Sequence, residues 1–261
     1  MTPLPGIFDN SISQWVEEQQ QPWGRLKYQL IHANLSRHLP QEGSLRVLDA
    51  GGGNGLDTLF LAEQGHVVDL VDYSQQMLEQ ATQRAAEVGL EQRIHVHEAD
   101  LTALPNLFGG IQFDVVLCHH VVQYVEDVRS LLESLVALLK PGGILSLVTI
   151  NPYSIPYHAA FLRRDLAEAL ALVGERTVRT YIFDAEMTTY SAEEICTLIV
   201  RLGCAVEGDY GIRCMCDYWG NNELKSDPMV FEQIERLEFA LTDKFPYKLL
   251  ARNLQVIARK L

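Results

Sequence analysis

Short apolar runs alternating with amphipathic stretches, one junction carrying three consecutive glycines, constrain this chain more than any other feature. Leu45–Leu48, Val67–Val71, Ile94–His97, Phe113–Cys118 and Ile144–Thr149 have the length and composition of buried strands. Between them lie helical stretches at 55–65, 74–88 and 127–139. Gly65 closes the first, Ser74 is placed to cap the second, and Lys140-Pro141-Gly142-Gly143 ends the third. Apolar strands alternating with helices predict an α/β fold, a doubly wound, mostly parallel sheet covered on both faces. Such sheets take their ligands in the crevice beyond the carboxyl ends of the strands.

Two helices, at 12–20 and 25–39, precede the alternation, with Gln21-Pro22-Trp23-Gly24 breaking the pattern between them. After Ile150 the pattern loosens into the Pro-Tyr-rich stretch Asn151–Tyr157, a helix at 159–173 and a polar segment. A helix at 191–202, a strand at 205–215, a helix at 228–242 and a strand at 253–259 complete the chain. The expectation is one domain over 1–261: N-terminal helices in 1–40, a ligand-binding half in 41–150, a lid insertion in 151–190 over the ligand edge, and 191–261 finishing the fold.

The junction Val47-Leu48-Asp49-Ala50-Gly51-Gly52-Gly53-Asn54-Gly55 runs from strand to helix. Without side chains at Gly51, Gly52, Gly53 and Gly55, the backbone can approach a ligand closely. The spacing Asp-x-Gly-x-Gly-x-Gly is not the Gly-x-Gly-x-x-Gly of dinucleotide-binding turns, which disfavours a nicotinamide-dependent dehydrogenase. Asp72 closes the second strand, where a carboxylate can accept two hydrogen bonds from a ribose diol. Ala99-Asp100-Leu101 follows the third strand and Cys118-His119-His120 the fourth, so these groups converge on one edge of the sheet. One of the two histidines faces the ligand and the other is structural; His119, first beyond the strand, is the candidate catalytic residue.

Composition narrows the partners. The formal net charge is -13, which repels polyanions at long range, and the cations are scattered: Arg163–Arg164, Arg176 and Arg179, and Lys244, Lys248 and Arg252. The 48% of hydrophobic residues supports a full core, yet no apolar run is long enough to cross a bilayer. With no signal-peptide pattern at the start, the expected location is the cytoplasm. Five cysteines form no CxxC pair, so no metal is expected; Cys214 and Cys216 would share one face of a strand as reduced, half-buried thiols.

The glycine junction resembles motif I of the Rossmann-like class I S-adenosylmethionine-dependent methyltransferases. That likeness implies a seven-stranded sheet and S-adenosyl-L-methionine as cofactor. It implies that Asp49 anchors the methionyl ammonium, that Asp72 holds the ribose, and that Asp100 with its neighbours reads adenine. Asn151-Pro152-Tyr153 resembles the Asn-Pro-Pro-Tyr signature of amino-group methyltransferases, but it follows the fifth strand and lacks a proline. Over Arg46–Gly55, Pro141–Leu147, Gly211–Arg213, Asp217–Tyr218 and Ala258–Lys260 the chain is similar to the bacterial tRNA carboxymethoxyuridine methyltransferases. The resemblance implies cofactor contacts at Gly51, Gly52, Asp72, Ala99, Asp100 and His119. It also places an N-terminal arginine contact of that family at Lys27, which exchanges a planar fork for a point charge. In place of that family's lysine-arginine cluster the insertion carries Gly174-Glu175-Arg176-Thr177-Val178-Arg179.

A carboxylate acceptor is anionic at neutral pH and needs no general base, whereas a phenol, amine or hydroxyl benefits from one. No buried acid–base pair other than His119 and His120 stands out, which fits esterification of a carboxylate, on tRNA or on a small metabolite. Lys27, Tyr153, Tyr157 and Arg213 are the candidate substrate contacts.

Overall fold

A computed structural model describes residues 12–179 and 186–261. Residues 1–11 of the N-terminal segment and 180–185 of the lid segment lie outside that description. The first helices are α1 (Ile12–Gln20) and α2 (Pro22–Ser36). Pro22 does not break the chain as the sequence suggested; it occupies the first turn of α2, where its missing N–H is no loss. The core alternation follows as β1 (Arg46–Ala50), α3 (Leu56–Glu63), β2 (Val67–Asp72), α4 (Gln75–Glu87), β3 (Ile94–Glu98), α5 (Leu104–Leu107), β4 (Phe113–His119), α6 (Val128–Leu138) and β5 (Leu139–Ile150). Ser74 caps α4 by accepting from the Met77 amide, and Asp127 caps α6 by accepting from Ser130.

The lid segment contains α7 (Ser154–His158), a further helical turn over Ala159–Arg163, α8 (Leu166–Ala171) and a small antiparallel pair, β6 (Thr177–Arg179) with β7 (Glu186–Thr188). The single helix expected at 159–173 is therefore two, because Arg164 turns the chain at a φ of 56° and Asp165 caps a new start. α9 (Ala192–Arg201) opens with a reciprocal Ser191–Glu194 capping box, worth about 1 kcal/mol. β8 (Cys204–Ile212), α10 (Asn222–Lys225), α11 (Pro228–Leu241) and β9 (Asn253–Lys260) complete the chain.

The seven-stranded sheet has the order β3-β2-β1-β4-β5-β9-β8. β1 to β5 pair in parallel, while β9 runs antiparallel to both β5 and β8. Successive residues of β4 serve opposite faces, as strand geometry requires. Val116 and Cys118 join one buried cluster with Leu132, Leu135, Ile195 and Ile199, from α6 and α9. Val115 and Leu117 join another with Leu35, Leu61 and Ala85, from α2, α3 and α4. Helices thus cover both faces, and the strand order reverses between β1 and β4, so the crevice opens above their carboxyl ends. No described helix is long and apolar enough to cross a membrane.

Candidate active site

A cavity of about 1260 Å³ opens at that switch point. Its floor is the turn after β1. Gly51 and Gly53 take φ values of 78° and 55°, and the amides of Gly51 and Gly52 both reach the Val71 carbonyl, at 2.8 and 3.3 Å. A Cβ on Gly52 would lie 2.5 Å from the Asp49 carboxyl carbon, and one on Gly51 equally close to Val121. Only glycine therefore leaves the turn open. Asp72 is oriented by its own backbone surroundings: Gly53 N–H donates to Oδ2 and Ser74 N–H to Oδ1, both at 2.9 Å. Burial raises its pKa while those amides pull it down. At the next strand end Asp100 accepts from the Thr102 amide and hydroxyl, at 2.8 and 2.6 Å. α1 closes over the turn through Gln19, whose side-chain oxygen accepts from Asn54 at 2.8 Å and whose amide donates to Tyr28 Oη at 2.8 Å.

Beneath the turn lie two buried acids of opposite character. Asp49 is 1% exposed and receives one described hydrogen bond, from Thr58 Oγ1 at 2.6 Å. Burial, with the Asp57 charge beside it, pushes its pKa up to about 7. Burial would raise Asp57 as well, but His119 and His32 outweigh it and hold that carboxyl well below its usual range. His32 Nε2 lies 2.7 Å from Asp57 Oδ1, and His119 Nδ1 lies 3.0 Å from Oδ2. The other nitrogen of His119 lies 2.9 Å from Ser146 Oγ, which already accepts from Gln255 at 3.1 Å. Both ring nitrogens of His119 are thus engaged, one by the Asp57 carboxylate and one by the Ser146 hydroxyl.

The far end of the cavity is cationic. Lys27 Nζ sits 4.4 Å over the Tyr28 ring, and burial, then Arg213, lower its pKa to about 8. Arg213 Nη2 lies 3.0 Å and His158 Nε2 3.7 Å from Asp217 Oδ2, and among the described residues the buried Arg213 Nε has no hydrogen-bond partner. Burial would raise Asp217, but the Arg213 guanidinium overrides it and brings the carboxyl down to about 2. Arg252 and Asn253 complete this wall, and Asn253 Nδ2 is another buried donor with no hydrogen-bond partner among the described residues. His120 stands at a φ of 59° with Nε2 buried and without a hydrogen-bond partner among the described residues; burial, then Lys27, keep its pKa well below the ordinary value.

Residues 48–147 match the family described as Methyltransferase domain. The tRNA 5-carboxymethoxyuridine methyltransferase of Escherichia coli is 31% identical over 240 residues, covering 91% of this chain and 89% of that protein. The chain belongs to the S-adenosylmethionine-dependent methyltransferases. A ubiquinone biosynthesis O-methyltransferase of Haemophilus ducreyi is 30% identical to this methyltransferase over 183 residues, 69% of this chain and 74% of that one. The fold matches that of an S-adenosylmethionine-dependent methyltransferase from Thermotoga maritima, described as a possible histamine N-methyltransferase. That structure has a TM-score of 0.63 at 16% identity and covers 98% of each chain.

The residues around the turn fit the cofactor of this methyltransferase. Asp49 is a buried acid with no ion pair among the described residues, the glycines leave backbone without side chains in front of it, and Asp72 presents a fixed carboxylate 2.9 Å from the Gly53 amide. Among the residues expected from sequence, Asp49, Gly51, Gly52, Gly53 and Asp72 line the cavity, as do Ala99, Asp100, Leu101, His119, Lys27 and Arg213. Gly55 does not; at a φ of 77° it caps α3, and a Cβ there would press 2.9 Å against Ala81. Tyr153 and Tyr157 also lie outside the lining, 50% and 41% exposed, because α7 turns Ile155 and His158 inward instead. His119 reaches the cavity but has both ring nitrogens engaged, so the acid–base role expected of it has no free nitrogen to work through. Cys214 and Cys216 are not strand neighbours, since β8 ends at Ile212. Asn151 ties the chain down by donating to the Leu249 and Ala251 carbonyls, at 2.8 and 2.9 Å. Among the described residues no cluster could hold a metal ion. Sequence reasoning missed Tyr28, Asp57, Arg252 and Asn253, whose roles depend on contacts distant in the chain.

Proposed function

We propose that this methyltransferase esterifies a carboxylate, that of a carboxymethoxy group on a wobble uridine of tRNA. The observation that carries the reading is the cationic wall: Lys27, Arg213 and Arg252, with an Asn253 amide that has no hydrogen-bond partner among the described residues, set against two carboxylates, Asp57 and Asp217. Such a wall has a deficit of negative charge, which a carboxylate acceptor makes good with charge-assisted bonds. Neither of the two cavity histidines at the end of β4 offers a ready base, which supports the same reading. His119 is fully engaged, and His120 is held uncharged and weakly basic, suited to a hydrogen bond rather than to taking a proton.

S-adenosyl-L-methionine supplies an electrophilic methyl group on a sulfonium, open to in-line attack. Asp49 behind the side-chain-free backbone of the glycine turn would hold its methionyl end, and Asp72 would take its ribose diol. Asp100 and Leu101 would receive its adenine. Asp57, gripped by His32 and His119, keeps a fixed negative charge behind Asp49 and orients the wall. Lys27 and Arg213 align the acceptor oxygen, so rate comes from placement and electrostatics. Outside the cavity Tyr157, Phe161 and Tyr218 form mutual ring contacts with centroids 6.0 to 6.3 Å apart, and the exposed Tyr157 and Phe161 offer faces on which bases can stack.

Incubation with methyl-labelled cofactor and tRNA carrying 5-carboxymethoxyuridine tests the proposal, with alkali-labile label on the tRNA expected. Label on a small carboxylic acid, with none on any tRNA, would transfer the assignment to metabolite esterification.

A further inference from the structure

Arg213 carries the acceptor wall from an unfavourable backbone position, a φ of 61° directly after β8. The three residues that follow explain how it is kept there. Their amides converge on one carboxylate, that of Glu238 from α11. Cys214 N–H donates to Oε2 at 2.6 Å, while Met215 and Cys216 donate to Oε1 at 2.8 and 2.6 Å. Successive amides gathered around an anion make a nest, and this anion is 0% exposed. α11 holds the other side as well, through Thr242 just past its end. Gly211 N–H donates to the Thr242 carbonyl at 2.7 Å, and Thr242 Oγ1 donates to the Gly211 carbonyl at 2.8 Å.

The chain is therefore clamped before and after Arg213 by one helix, and the clamp also sets Asp217, the carboxylate 3.0 Å from the guanidinium. A loop that merely needed to turn could do so with glycine at 213, without strain and without a buried acid. Burial of an ionised carboxylate is costly unless every lone pair is used. We propose that Glu238 is a positioning residue for acceptor recognition: its nest fixes the 214–216 backbone and thereby aims the Arg213 side chain into the cavity. This rests on the reading of the far wall as the acceptor site.

Glu238→Gln in the full chain tests the proposal. Glutamine keeps one oxygen for Met215 and Cys216 but sets an NH2 group against the Cys214 N–H. KM for the acceptor should rise by about tenfold with kcat within about twofold, and the S-adenosylhomocysteine dissociation constant should not change. Arg213→Lys raises KM too, and adding Glu238→Gln to it should bring little further loss, because both act through one guanidinium. Equal loss of cofactor and acceptor binding, an unchanged KM, or fully multiplicative effects in the double variant would overturn the proposal. If the wild-type enzyme labels only a small acid, the same KM comparison is made with that acid. If it labels nothing, the acceptor reading fails separately, and NMR titration of Asp217 decides for Glu238. The carboxyl should then titrate about one unit higher in Glu238→Gln, and an unmoved titration overturns the proposal.

Discussion

Lys27 offers the sharpest test of how the cavity receives its acceptor. Burial, with Arg213 nearby, lowers its pKa to about 8. At that value about nine in ten Lys27 side chains are charged at pH 7 and about one in ten at pH 9. If the ammonium anchors a carboxylate, kcat/KM for the acceptor, which reports ionisations of the free enzyme, should fall about tenfold between those pH values. Lys27→Arg should remove the alkaline limb, since guanidinium stays charged throughout the range. Initial rates of label transfer, taken from pH 6.5 to 9.5 with cofactor binding measured in parallel, give the profile. A wild-type profile that rises above pH 8 would mean that the neutral amine takes a proton from the acceptor, and the anchoring role would be refuted. The same shift has a sign for stability. The folded pKa lies below the ordinary 10.5, so the unfolded chain binds more protons between about 8 and 10.5, and stability increases with pH across that window. Below pH 8 the cost is on the order of 3 kcal/mol, so Lys27→Met should raise the melting temperature at pH 7 while abolishing acceptor saturation.

Three further substitutions bear on the cofactor half. Asp72→Asn keeps the shape but removes the charge, and should weaken S-adenosylhomocysteine binding by about 10- to 100-fold in calorimetry. Gly52→Ala drives a methyl group to within 2.5 Å of the Asp49 carboxyl, and should lower cofactor affinity at least about tenfold while the circular dichroism spectrum persists. His119→Ala leaves Asp57 and Ser146 each short of a buried partner, and should cost about 2 to 3 kcal/mol in urea unfolding without removing a limb from the pH–rate profile.

Much of the fold was legible because its signals are local. Apolar runs of strand length, Ser74 as a cap and the glycine turn each express backbone chemistry within a few residues, and β1 to β4 stand close to where these signals set them, while β5 starts at Leu139 and takes in the Lys140–Gly143 stretch expected as a turn. Errors fell where tertiary contacts override local pattern. The strand expected to reach 215 stops at Ile212, because a carboxylate from α11, distant in sequence, captures the next amides. Pro22 reads as a breaker in isolation but is a helix starter once α2 follows it. His119 looked available because sequence shows its place at a strand end, not the Asp57 and Ser146 atoms on either side of its ring. Tyr153 and Tyr157 were chosen by residue type, and only the start of α7 at Ser154 decides which side chains face the cavity.

Charge distribution reconciles an acidic chain with an anionic acceptor. Several of the scattered cations are already committed: Arg163, which also lines the cavity, lies 2.7 Å from Glu168, Lys248 2.7 Å from Asp209, Lys244 2.9 Å from Asp243, and Arg176 pairs with Glu194. They are partly neutralised, and give little long-range attraction to offset a net charge of -13. Lys27, Arg213 and Arg252 are different: they are largely buried in the cavity wall, where salt penetrates poorly and a contact is stronger than the same contact in water. Repulsion beyond about 8 Å is screened at physiological ionic strength, so the acidic exterior slows encounter more than it weakens the bound state. Discrimination then rests on whether an acceptor brings a carboxylate to that wall, rather than on how many phosphates it carries.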